Sequence, residues 1–208
     1  MTAQPSDPFV RLELLAPPGW VRLPLDVDPD AWAAEETRSA SAGLRPQGSS
    51  VGLETATELL ASAARRAQHL WDGDFAAPVS LALQPDPLGR VYAVVDACLF
   101  PMEDLPLTPD RILGIGSDHG GILGDVETTE VELPAGRALR HRGLLAAMPG
   151  LDDPTSSQVT EALAYLITPV DLPGFVLLEA QWAELDLAEE IVAQVDEIAD
   201  TLLVEARQ

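Results

Sequence analysis

The run Arg-Val-Tyr-Ala-Val-Val-Asp-Ala-Cys-Leu-Phe, residues 90 to 100, constrains the fold more than any other segment of this 208-residue chain. A strand with one wet face alternates apolar and polar residues, whereas this one is apolar at nearly every position, as a strand covered on both sides is. The chain contains the covers. Leu53, Ala56, Leu60, Ala63, Ala64, Ala67, Leu70 and Trp71 recur at the helical period, with Glu54, Glu58, Arg65 and Arg66 on the remaining surface. Near the other end, Leu187, Ala188, Ile191, Val192, Val195, Ile198, Ala199, Leu202 and Leu203 form a second stripe. It predicts a closing helix over 186–204, packed on a sheet. Asp186-Leu187-Ala188-Glu189 reads as its capping box, with aspartate as the cap.

The intervening segments supply the sheet. Val79 to Leu83, Val126 to Leu133, Arg137 to Leu145 and Phe175 to Trp182 read as strands, the middle two joined at Pro134-Ala135-Gly136. Residues Ser157 to Thr168 fit either period, and their β-branched content decides for strand. Trp20 to Leu25 reads as an edge strand, because Pro24 is tolerated only where no ladder bond is needed. Asp28 and Pro29 open a helix reaching about Arg38, and Thr108-Pro109-Asp110 opens a short one. Gly114 to Gly124 reads as a glycine-rich loop. Residues 1–8 read as a flexible tail and 9–208 as a single domain, with no linker and no repeat dividing them. The class expected is α/β (α+β): an antiparallel sheet flanked by helices on both faces, with the long C-terminal helix packed on it.

Charge narrows the partners. The chain has 34 acids against 12 bases, all arginine, for a net charge of −22. Between Arg142 and Arg207 there is no basic side chain, while thirteen carboxylates fall in that stretch. Such a surface repels phosphate and anionic lipid, so neither nucleic acid nor membrane is expected as a partner. No apolar run approaches the roughly 20 residues that span a bilayer, and the N-terminus has no secretory pattern. With Cys98 as the single cysteine, the cytoplasm is the expected compartment. Glu189, Glu190, Asp196, Glu197 and Asp200 lie opposite the apolar stripe of the final helix, none with a base four residues away. The like-charge pair Asp196/Asp200 costs a few tenths of a kcal/mol, so helix stability does not account for it. A basic protein is the expected partner of this face; the oligomeric state is left open.

Motifs for chemistry are sparse. Gly48-Ser49-Ser50-Val51-Gly52 has the spacing of a nucleophile elbow but lacks the buried strand before it. Asp26-Val27-Asp28-Pro29-Asp30 begins like a calcium loop, yet Ala31 and Thr37 stand where glycine and glutamate are required. Asp96 interrupts the covered strand and needs a partner or a raised pKa, which makes it a general-acid candidate or half of a structural ion pair. Ser117 and His119 share the glycine-rich loop, and a small hydrolase using them or Asp96 is one alternative function. Arg140 and Arg142 project to one face of their strand. They are candidates to hold a small anionic ligand, or to pair internally with the surplus acids. No catalytic residue is assigned, and no metal or cofactor is expected.

Read in order, Gly19-Trp20-Val21-Arg22-Leu23-Pro24, a long helix, a run of strands and a closing helix resemble the PsbP/LpqN-like α-β-α sandwich. Val131-Glu132-Leu133-Pro134-Ala135-Gly136-Arg137-Ala138 strengthens the likeness, which spans residues 19–204 and is nearest to cytoplasmic actinobacterial members. The resemblance implies an antiparallel sheet between helical layers and an accessory or binding role, with no functional residues to carry over. Lipoprotein members carry a lipidated N-terminal cysteine; here the only cysteine is internal, so the resemblance implies no anchor.

Overall fold

The computed structural model describes residues 10–42, 50–71, 76–83, 93–100, 119–147, 159–170 and 172–206. The tail, the helix expected at Thr108 and residues 114–118 of the glycine-rich loop lie outside them. Strands β1 (Val10–Glu13) and β2 (Trp20–Arg22) precede helices α1 (Pro29–Ala42) and α2 (Ser50–Trp71). Then come β3 (Ala76–Leu83), β4 (Ala93–Phe100), β5 (His119–Leu133), β6 (Gly136–Ala147), β7 (Val159–Pro169) and β8 (Phe175–Trp182). A 3-10 turn at Leu185–Leu187 leads into α3 (Ala188–Asp200), and β9 (Leu203–Ala206) follows. Seven strands form one antiparallel sheet in the order β2-β3-β4-β8-β7-β6-β5, and β1 pairs β9 separately.

The pleat sorts side chains between two covers. Ala93, Val95, Ala97 and Leu99 of β4 lie level with Trp182, Ala180, Leu178 and Val176 of β8. With Leu163, Tyr165 and Ile167 of β7 they form the main core, into which α3 inserts Ile191, Val192, Val195 and Ile198. On the other face, Ala82 and Val94 pack with Leu60, Ala61 and Ala67 of α2, and with Leu23 and Ala33. The chain is thus an α+β protein whose sheet has helices on both faces. Each fully buried Ile or Val of α3 contributes roughly 1.5–3 kcal/mol, against the few tenths lost to a like-charge pair on its outer side. The apolar stripe therefore decides the helix.

Asp28 caps α1, its Oδ1 accepting the Ala31 amide at 2.7 Å. The strands expected over 157–168 and 175–182 form within two residues of the reading, and the hairpin turns where expected, its first strand starting earlier, at His119. Three expectations change. The closing helix ends at Asp200, because the Thr201 hydroxyl donates to the Ile198 carbonyl (2.7 Å) and accepts the Leu15 amide (3.1 Å). Leu202 stays buried, but Leu203 joins β9 and is exposed. Asp186 is not the cap: it lies in the 3-10 turn, and Leu187 occupies the cap position without a side-chain bond. Finally, 119–124 is strand, not loop. Its register shifts between His119 and Gly121 and again between Leu123 and Glu127, and Gly121 and Gly124 take φ of +134° and +80°. The glycines make a bulged strand.

Candidate interaction surface

The register of β6 places Arg140 level with Tyr165 and Arg142 level with Leu163, both on the α3 face. Glu189 and Asp196, seven residues apart, share one stripe of α3. They meet the two arginines. Arg142 donates from Nε to Glu161 Oε1 (2.6 Å) and from Nη2 to Glu189 Oε1 (2.7 Å). Arg140 Nε reaches both Asp196 Oδ1 and the Tyr165 hydroxyl at 3.2 Å, and that hydroxyl donates to Asp196. The bond to Glu189 holds the Arg142 pKa above the ordinary arginine range against the opposing effect of burial. Burial works against the Arg140 charge, but the bonds to Tyr165 and Asp196 outweigh it. Burial, then the bond to Asp196, pushes the Tyr165 phenol up.

These ties correct the expectation of a wholly unpaired acid face. Glu189 and Asp196 are neutralised from the sheet, by partners 47 and 56 residues away that no helical spacing registers. The same pairs engage both guanidiniums that had been candidates for an anionic ligand.

Asp96 points to the α2 face of β4, where it pairs with Arg66 of α2 and accepts a bond from the Ser80 hydroxyl at 2.5 Å. It belongs to a row with one residue per strand: Ser80, Asp96, Glu179, Ala164, His141, Thr128. Glu179 accepts a bond from Gln181 at 3.1 Å. Cys98, two positions along β4, has its thiol pKa pushed up to about 12 by burial and then by the charges of Asp96 and Glu179. His141 is 1% exposed, and burial pulls its pKa down. Its Nδ1 meets Thr128 Oγ1 at 2.9 Å, and its Nε2 has no hydrogen-bond partner among the described residues. Three strand spacings, about 14 Å, separate Asp96 from His141, so the two do not form an acid–base pair. Of the other hydrolase candidates, Ser117 lies outside the described residues and His119 opens β5.

The charge left over on α3 and β5 is acidic and exposed. Glu190, Glu197 and Asp200 of α3 make no ion pair with any described residue. Nor do Asp125 and Glu127 of β5, while Glu130 and Glu132 share the exposed Arg137 at 3.7 and 3.3 Å. The β5 acids were missed in the sequence, although four carboxylates between 125 and 132 in one strand were there to be seen. Among the described residues no helix is long and apolar enough to cross a membrane.

Fold and charge together define an α+β sandwich protein with a strongly acidic balance of charge. No family model and no curated protein matches the chain. Among solved structures, LpqN of Mycobacterium tuberculosis, described as involved in cell envelope biogenesis, is similar over 96% of this chain and 87% of its own. The identity is 12% and the TM-score 0.44.

Proposed function

We propose that this chain is a non-enzymatic accessory or interaction domain that engages a basic protein through the outer ridge of α3. The carrying observation is the division of the α3 acids. Glu189 and Asp196 are tied to the sheet, whereas Glu190, Glu197 and Asp200 stand exposed without an ion pair among the described residues. The inner pairs fix the helix, so the outer carboxylates stand on a rigid support and need little ordering when a cationic surface arrives. Engagement of Arg140 and Arg142 by acids, and of Asp96 by Arg66 and Ser80, favours interaction over an anion carrier or a hydrolase. Kinship with the PsbP/LpqN-like accessory proteins and a cytoplasmic setting belong to the same proposal, and cell fractionation checks the latter.

The test compares capture from native lysate by the wild type and by a Glu190→Lys/Glu197→Lys/Asp200→Lys variant, at low and high salt. Basic proteins should be retained by the wild type at low salt, released as screening shortens to a few ångströms, and not retained by the variant. Equal capture by both proteins, or capture indifferent to salt, refutes the proposal.

A further inference from the structure

The sheet has two edges, and they are built differently. β2 offers three residues, and Pro24 follows almost at once. β5 is fifteen residues long, and among the described strands of its sheet it pairs only with β6. Leu123 to Asp125 and Glu127 to Glu130 are exposed. Beyond the second bulge, Glu127 to Leu133 runs in unbroken register with Arg142 to Gly136. That is about 23 Å of regular edge at the strand rise, carrying a row of outward N–H and C=O groups that can template another strand.

The side chains select what is added. Glu127 projects to the α3 face, and Glu130 and Glu132 to the α2 face. A second copy adding to this edge would set carboxylates beside carboxylates, which destabilises a ladder, and each copy brings a charge of −22. A basic strand meets complementary charge instead. On the inner side of Glu130 and Glu132, a groove of about 660 Å³ over β6 and β7 is lined by Arg137, Leu139, Leu166 and Val170, so the two carboxylates stand between that groove and the free edge.

We infer that β5 accepts an extended basic segment of a partner protein as an eighth strand of the sheet, along Glu127 to Leu133. The inference rests on the basic-partner proposal and adds the mode of binding. Acidic edges also deter self-association, but deterrence alone gives no affinity for a cationic strand.

The probe is a synthetic peptide of roughly eight residues alternating arginine and valine, the length of an ordinary strand. Its control has equal charge, with the central valines replaced by proline. Against the full chain, the alternating peptide should bind and slow amide exchange across Glu127 to Leu133. The proline peptide, which cannot donate to the ladder, should bind about tenfold more weakly. Arg137→Ala should tighten the first peptide about threefold, since Arg137 competes for Glu130 and Glu132 as a surface ion pair does. Equal affinity for both peptides without new protection along β5 overturns strand addition and leaves the α3 ridge untouched. Absence of binding by either peptide at low salt overturns the β5 site, and the α3 ridge is then judged by its own charge-reversal result.

Discussion

Arg142→Met separates the part of the β6–α3 tie that stabilises the fold from the part that decorates it. Methionine keeps the aliphatic stem over the sheet and removes only the charge. Arg142 has a side chain 20% exposed, and its two partners differ: Glu161 is 10% exposed and Glu189 is 85% exposed. Losing the cation leaves Glu161 buried between Leu144 and Trp182, its neighbours across the ladders. Breaking a buried pair from one side costs about 3–5 kcal/mol, and the remaining solvent access lowers this to roughly 2–4 kcal/mol. With a urea m-value of about 2 kcal/mol/M, the unfolding midpoint should fall by about 1–2 M. Arg142→Met/Glu161→Met should recover most of the loss, because a buried pair replaced on both sides by apolar groups is nearly neutral. Glu189→Gln should shift the midpoint least of the set. An Arg142→Met unfolding free energy within about 0.5 kcal/mol of wild type, or a double variant as unstable as the sum of its singles, would refute this account.

Because burial depresses the His141 pKa in the folded chain, its contribution to stability is complete above the unfolded value of about 6.5 and is lost as the pH falls through the folded value. The gap in Tm between wild type and His141→Gln should therefore change between pH 7 and 5; parallel profiles sink the idea. Gly136→Ala places a Cβ 2.1 Å from the Thr168 carbonyl oxygen at φ +146°, and should cost at least about 2 kcal/mol in chemical denaturation. A loss indistinguishable from zero would mean the turn relaxes freely. Cys98, its thiol pushed up to about 12, should resist alkylation at pH 8 until the chain is unfolded; a native rate equal to the unfolded one contradicts its burial.

Elements whose burial follows a local period were legible in the sequence. The α3 stripe and β8, with Val176, Leu178, Ala180 and Trp182 on one face, needed only counting. What escaped depends on distant partners. Leu202 and Leu203 continue the helical period, and only the Leu15 amide, 186 residues earlier and bound by Thr201, marks where the helix stops. Arg140 and Arg142 were recognised as a pair, but their partners could not be chosen among so many acids until β6 and α3 were in place. In 119–124 the glycines signalled a loop, whereas pairing with β6 turns them into bulges. The edge position of β5 was out of reach for the same reason, since strand order depends on the whole sheet.

The pairing of β1 with β9 has a mechanical consequence. Val10 faces Ala206 and Glu13 faces Leu203, so residues 10 and 206 sit side by side at one end of the ribbon. Tension applied through residues 10 and 206 falls first on that one pair and then on the next, peeling the ribbon like a zip instead of shearing every bond at once. Leu12 and Leu14, which β1 and its continuation seat in the main core, would be drawn out early. Under force-probe pulling through residues 10 and 206, the protein should yield at low force there while the seven-stranded sheet still holds.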